Sequence, residues 1–154
     1  MTIPDSSPAS PPSALVAVVQ VNSNDDPERN FARAQVLARR AKERGARLVV
    51  FPENLLYEGG DKGARHDPQE WGPRFGALAR ELGVTLIPGS QREPAGERAH
   101  NTCLVYGPDG SELARYRKIH LFDVDVPGGH AERESSYIAP GESLAVVVEV
   151  PGVG

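Results

Sequence analysis

The sequence is poor in the residues that several classes of function require. A single cysteine, Cys103, excludes an internal disulfide and any zinc site built from several thiolates. Positive charge is not in surplus, since 17 Lys and Arg stand against 21 Asp and Glu, a formal charge of −4. Nucleic acid is therefore not expected as a main partner, because a phosphate backbone is bound by an excess of cations. No apolar run approaches the ~20 residues of a membrane-spanning helix, so no membrane partner is expected either. Neither GxxxxGK[S/T] nor GxGxxG occurs, which removes the glycine-rich loops that cradle phosphates. One thiol and no secretory signal make the cytoplasm the expected location.

What remains has the length and composition of one ordinary domain: 154 residues, 39% hydrophobic and 25% charged. Residues 1–13 stand apart. Pro4, Pro8, Pro11 and Pro12 lie among serines, with Asp5 as the one charge. Such a segment buries too little apolar surface to offset its ordering entropy, and it is expected to be a disordered leader. Residues 14–154 are expected to form the folded part.

Leu15 to Val21 is apolar and β-branched, which predicts a strand buried on both faces. Asp26-Pro27 then supplies a helix N-cap and a proline at the first helical position. Phe31, Ala34, Leu37, Ala38 and Ala41 form an amphipathic stripe that Gly45 ends. Leu48 to Phe51 is a second buried strand, so strand, helix and strand make a parallel βαβ unit with a right-handed crossover. A further loop, a helix marked by Trp71, Phe75, Leu78 and Leu82, and a strand from Val84 to Ile87 repeat the pattern. Gly107-Pro108-Asp109-Gly110 between Asn101–Tyr106 and Glu112–Arg117 is a hairpin signature. His120 to Gly141 reads as a long functional loop, and Leu144 to Val150 as a last strand. The fold class is α/β. Two or three helices cannot cover both faces of a sheet of about six strands, so the sequence looks like part of a larger fold. Its bare sheet face is expected to drive self-association into a homo-oligomer.

Glu53 follows directly on the strand ending Phe51-Pro52, and functional groups of parallel α/β sheets gather at the carboxyl ends of strands. Shielding by Phe51, Leu55 and Leu56 would raise its pKa enough for it to act as a base; the alternative is a solvated loop acid. In Arg115-Tyr116-Arg117-Lys118, the two arginines share one strand face while Tyr116 and Lys118 share the other. Lys118 is placed on the core side, where it either snorkels or stabilises an anion. The same run also reads as a solvated edge that discourages strand addition. His120, Asp123, Asp125 and His130, with Glu53 as helper, could be read as metal ligands, but their spacing matches no standard site. Cys103, between Thr102 and Leu104, reads as a small buried hydrophobe.

Three segments together carry a resemblance. Ala46-Arg47-Leu48-Val49-Val50-Phe51-Pro52-Glu53 resembles the segment bearing the first catalytic glutamate of the nitrilase (carbon–nitrogen hydrolase) superfamily. Asn101-Thr102, Gly107-Pro108-Asp109-Gly110 and Tyr116-Arg117-Lys118-Ile119-His120-Leu121 resemble the run leading to its catalytic lysine. Phe122-Asp123-Val124-Asp125-Val126-Pro127-Gly128, then Glu134-Ser135 and Pro140-Gly141, look most like the omega-amidase branch. The resemblance implies the N-terminal part of a four-layer αββα sandwich and a Glu–Lys–Cys amidase acting on small linear amides. Glu53 would be the general base, Lys118 the oxyanion-stabilising cation and Glu134 a supporting residue that positions the lysine or substrate. No metal or organic cofactor is implied. The nucleophilic cysteine of the family would follow the strand after Pro140-Gly141, at a position just beyond Gly154, and Cys103 does not match it. The chain alone is therefore expected to be inactive. A non-catalytic truncated remnant, or a fragment that pairs with a related chain, is the rival reading; a metal-dependent hydrolase using His120 to His130 is a third.

Overall fold

Two βαβ crossovers set the frame of the computed structural model, which describes residues 14–64, 66–129 and 131–153. The leader expected over residues 1–13 lies outside this range. Strand β1 (Leu15–Val18) pairs in parallel with β2 (Ala46–Val50), and β2 pairs in parallel with β3 (Thr85–Ile87). Helix α1 (Pro27–Glu43) links the first pair and α2 (Pro68–Leu82) the second. Both helices start where an aspartate caps the chain. The Asp26 carboxylate accepts from the Arg29 N–H at 3.0 Å and the Asp67 carboxylate from the Gln69 N–H at 2.8 Å, each followed by proline in the first turn.

The helices share one face of the sheet. Phe31 of α1 meets Trp71 and Phe75 of α2 edge to face, with ring centroids 5.8 and 5.1 Å apart. With Ala34, Ala38 and Leu78 these rings close over Val49, Leu86 and Leu104 of the sheet, and this layer is the core. Beyond β3 the pairing turns antiparallel. Strand β5 (Arg98–Tyr106) carries β3 and β4 (Ser90–Ala95) in succession along one edge and β6 (Glu112–Arg117) along the other. The predicted hairpin is β5–β6. Strand β4 has no counterpart in the sequence reading, because Ser-Gln-Arg-Glu-Pro-Ala shows no apolar alternation and contains proline.

Three expectations are corrected. Strand β1 is not buried on both faces: Val18 is 83% exposed and Leu15 52%, because β1 is the edge of the sheet and the helices cover one face. Leu144–Val150 is not a strand. It pairs with no described strand, and Leu144 and Val147 are exposed. The stretch from His120 to Gly141 is not all loop, since β7 (Asp123–Asp125) and β8 (Ala131–Arg133) form a small antiparallel hairpin that runs into a 3-10 turn at Glu134–Ser136. Among the described residues no helix is long and apolar enough to cross a membrane.

Candidate active site

The chain leaves β2 through a locked turn. The Phe51 N–H donates to the Ile87 carbonyl at 2.8 Å, and the Pro52 carbonyl lies against Gly89, between β3 and β4. A Cβ on residue 89 would sit 1.7 Å from that oxygen, and the backbone there has φ +73, so glycine alone fits. One residue beyond Glu53, Asn54 takes a left-handed conformation (φ 56) and donates its N–H to Ser90 Oγ at 3.0 Å. Glu53 is thus pinned from both sides of its own backbone.

Its carboxylate meets two groups from the far half of the sheet. Asn101 Nδ2 donates to Glu53 Oε1 at 2.6 Å, and Lys118 Nζ donates to the same oxygen at 3.2 Å. Lys118 also pairs with Glu134, at 3.0 Å to Oε2 and 3.2 Å to Oε1. Glu134, nearly fully buried, accepts in addition from the Phe122 N–H. The Lys118 backbone is fixed as firmly. Its N–H donates to the Asn101 carbonyl and its carbonyl accepts from the Gly141 N–H, both at 2.9 Å. Gly141 approaches so closely that a Cβ there would lie 2.4 Å from the Arg117 carbonyl oxygen. Asn101 therefore touches both residues, the Glu53 carboxylate through its side chain and the Lys118 backbone N–H through its carbonyl.

Burial alone would push the Lys118 pKa down, but hydrogen bonds from Nζ to Glu134 and Glu53 outweigh it, and the net shift is upward. Lys118 is a fixed cation at neutral pH. Glu53, with its side chain 53% exposed, keeps an open side toward solvent. The arrangement offers a carboxylate that can take a proton, beside a cation that can face a developing negative charge.

All three site residues expected from the sequence, Glu53, Lys118 and Glu134, come together. Two details differ. Phe51, Leu55 and Leu56 do not shield the Glu53 carboxylate; they belong to the core, and its neighbours are Asn101 and Lys118. Nor does Lys118 lie on the core side of its strand. Register pairs Leu104 of the core with Arg115, so the arginines take the helix-covered face, and Tyr116 and Lys118 the other. The arginines do share a face as predicted, both binding Glu93 at 2.8 Å. Asn101 and Ser90 were missed as site residues. A polar residue opening an otherwise apolar strand segment was the available signal for Asn101, but its partner is 48 positions away.

Cys103 is half-buried on β5, level with Ser90 and Tyr116 and on the same face as Asn101. Burial pushes its thiol pKa up. The metal reading finds no support in the geometry. Asp123 is engaged by the Ser135 N–H and hydroxyl, His130 lies outside the described residues, and no group of three or more metal-ligating side chains forms among the residues described.

The sheet that carries these residues, parallel and then antiparallel, has counterparts among known proteins. The chain belongs to the carbon-nitrogen hydrolase family, which matches residues 15–153. Its relatives include the omega-amidase NIT2 of Danio rerio, 41% identical over 135 residues, and that of Homo sapiens, 38% identical over 134. These alignments cover 85% and 84% of this chain and 49% of each relative, so the chain spans about half the length of the curated relatives it matches. The NitFhit protein of C. elegans superposes with a TM-score of 0.77 at 29% identity, over 90% of this chain and 35% of that one. An amidase from Nesterenkonia sp. gives 0.73 at 26%, over 90% and 51%. The fold is that of the nitrilase superfamily.

Proposed function

We propose that this chain supplies the base and the oxyanion-binding cation of an amidase site for small linear amides, with omega-amides of dicarboxylates as the first class to try. The observation that carries the reading is the contact between Lys118 and Glu53, made across 65 positions of sequence. In this mechanism Glu53 takes the proton of a cysteine thiol as sulfur attacks the amide carbonyl. Lys118 faces the oxyanion of the tetrahedral intermediate, and Glu134 and Asn101 hold the pair in place. The C–N bond breaks with the proton returned to nitrogen, ammonia leaves, and a thioester remains. Water, deprotonated by Glu53, attacks the thioester through a second oxyanion held by Lys118 and frees the thiol.

The nucleophile in this reading is not Cys103 and comes from outside these 154 residues. Cys103 lies within a strand, and burial raises its pKa, the opposite of what activates a thiol. On this view the isolated chain is inactive, and the protein works in the cytoplasm. The test is ammonia release from an omega-amide by the chain joined to the second half of an omega-amidase relative. Loss of release in Glu53→Gln and Lys118→Ala supports the assignment, and full activity in either variant overturns it.

A further inference from the structure

Among the described residues, buried side chains with unpartnered polar atoms are confined to His66, Thr85 and Gln91, and two of the three sit together. His66 is 7% exposed and Gln91 2%. Neither ring nitrogen of His66 and neither amide atom of Gln91 has a hydrogen-bond partner within the protein. Both residues line one small cavity between the turn at Asn54 and the start of β4, with Ser90 on its wall. Its volume is about 10 Å³, close to the least that holds one buried water. The surroundings fix the His66 ring. Its backbone N–H reaches the Arg92 carbonyl at 3.4 Å, and the ring stands edge-on to Tyr57, with centroids 4.9 Å apart at 88°.

Burial, and then the charge of Arg92, push the His66 pKa down, so the ring is neutral at pH 7. A neutral imidazole brings one donor and one acceptor; a primary amide brings two donors and an acceptor. The cavity is too small for an organic group, and an apolar occupant would leave every one of these atoms unsatisfied. A molecule that both donates and accepts, and fills the space of one oxygen, answers the whole set. We propose that this cavity is the site of one buried water molecule that bridges the His66 ring and the Gln91 amide. The bridge ties the His66 ring to β4, beside the Ser90 hydroxyl that receives the Asn54 N–H.

A crystal structure of the 154-residue chain tests this directly. One solvent peak is expected within about 2.6–3.2 Å of a His66 ring nitrogen and of a Gln91 amide atom. Contact between His66 and Gln91 themselves, or a cavity without density, overturns the proposal. Paired variants give a second reading. Gln91→Leu alone strands the His66 ring and is expected to lower Tm by several degrees, whereas His66→Phe with Gln91→Leu recovers most of the loss. Simple addition of the two single losses counts against a shared water. If the single variants do not fold, the unmodified chain still decides the matter through its solvent density.

Discussion

Lys118 Nζ lies 3.2 Å from Oε1 of Glu53, two charged groups that leave separate strands of one sheet 65 positions apart in sequence. The contact has a titration signature. Glu53 and Glu134 hold the lysine pKa above its ordinary value of 10.5. The stabilisation from this raised pKa is complete below the unfolded lysine value and fades only as pH climbs through the folded one, so it is constant across neutral pH. NMR titration of Nζ is expected to give a midpoint above 10.5. In a Glu53→Gln, Glu134→Gln double variant only burial acts, and the midpoint falls below that value.

Gly89 holds the backbone behind Glu53. Gly89→Ala would drive a methyl group into the Pro52 carbonyl at a positive φ, and about 3 kcal/mol or more of stability should be lost. Urea unfolding measures the loss. An alanine variant within 0.5 kcal/mol of the parent, roughly the scatter of neutral surface changes, would contradict the packing described.

Glu93 should shape acid stability. Hydrogen bonding by Arg117, opposed by burial and aided by Thr102 and Arg115, brings its pKa down to about 2. A depressed carboxylate contributes stability that is present above its unfolded pKa of 4.5 and lost as pH falls toward 2. After discounting for solvent screening, Glu93→Gln is expected to cost on the order of 1–2 kcal/mol at pH 7. It should cost almost nothing at pH 2. Unfolding free energies at the two pH values check the sign.

The sheet face opposite the helices carries Val16 and Val18, both exposed, beside partly exposed Leu48, Val50 and Ile87. An apolar surface of this kind is uncommon on a stable monomer. The isolated chain is expected to bind a hydrophobic dye and to elute from size exclusion as a self-associated species. Monomeric elution without dye binding would count against it.

Local chemistry made much of this legible. Asp26-Pro27 and Gly45 announce the two ends of α1 because capping is settled within one turn, and the hairpin at Gly107–Gly110 is set by its own turn residues. Strand-end position singled out Glu53, and resemblance singled out Lys118 and Glu134. What stayed hidden depends on distant partners. Leu144–Val150 looks like a strand by composition, but a strand also needs a neighbour, and composition is silent about neighbours. Strand β4 shows the converse, a polar segment made into a strand by its six-residue register with β5. Asn101 reads as an ordinary polar residue until the fold sets it between Glu53 and Lys118.

In the proposed mechanism Glu53 and Lys118 serve a cysteine other than Cys103, and ammonia release from omega-amides measures this most directly. The assay compares the 154-residue chain, its Cys103→Ser variant, and the chain joined to the second half of an omega-amidase relative. No release is predicted from the first two; release is predicted from the third, at least 100-fold lower in Glu53→Gln or Lys118→Ala, in line with about 10²–10⁴-fold for a lost acid–base group. Ammonia released by the chain alone, and abolished by Cys103→Ser, would contradict the account and make Cys103 the nucleophile.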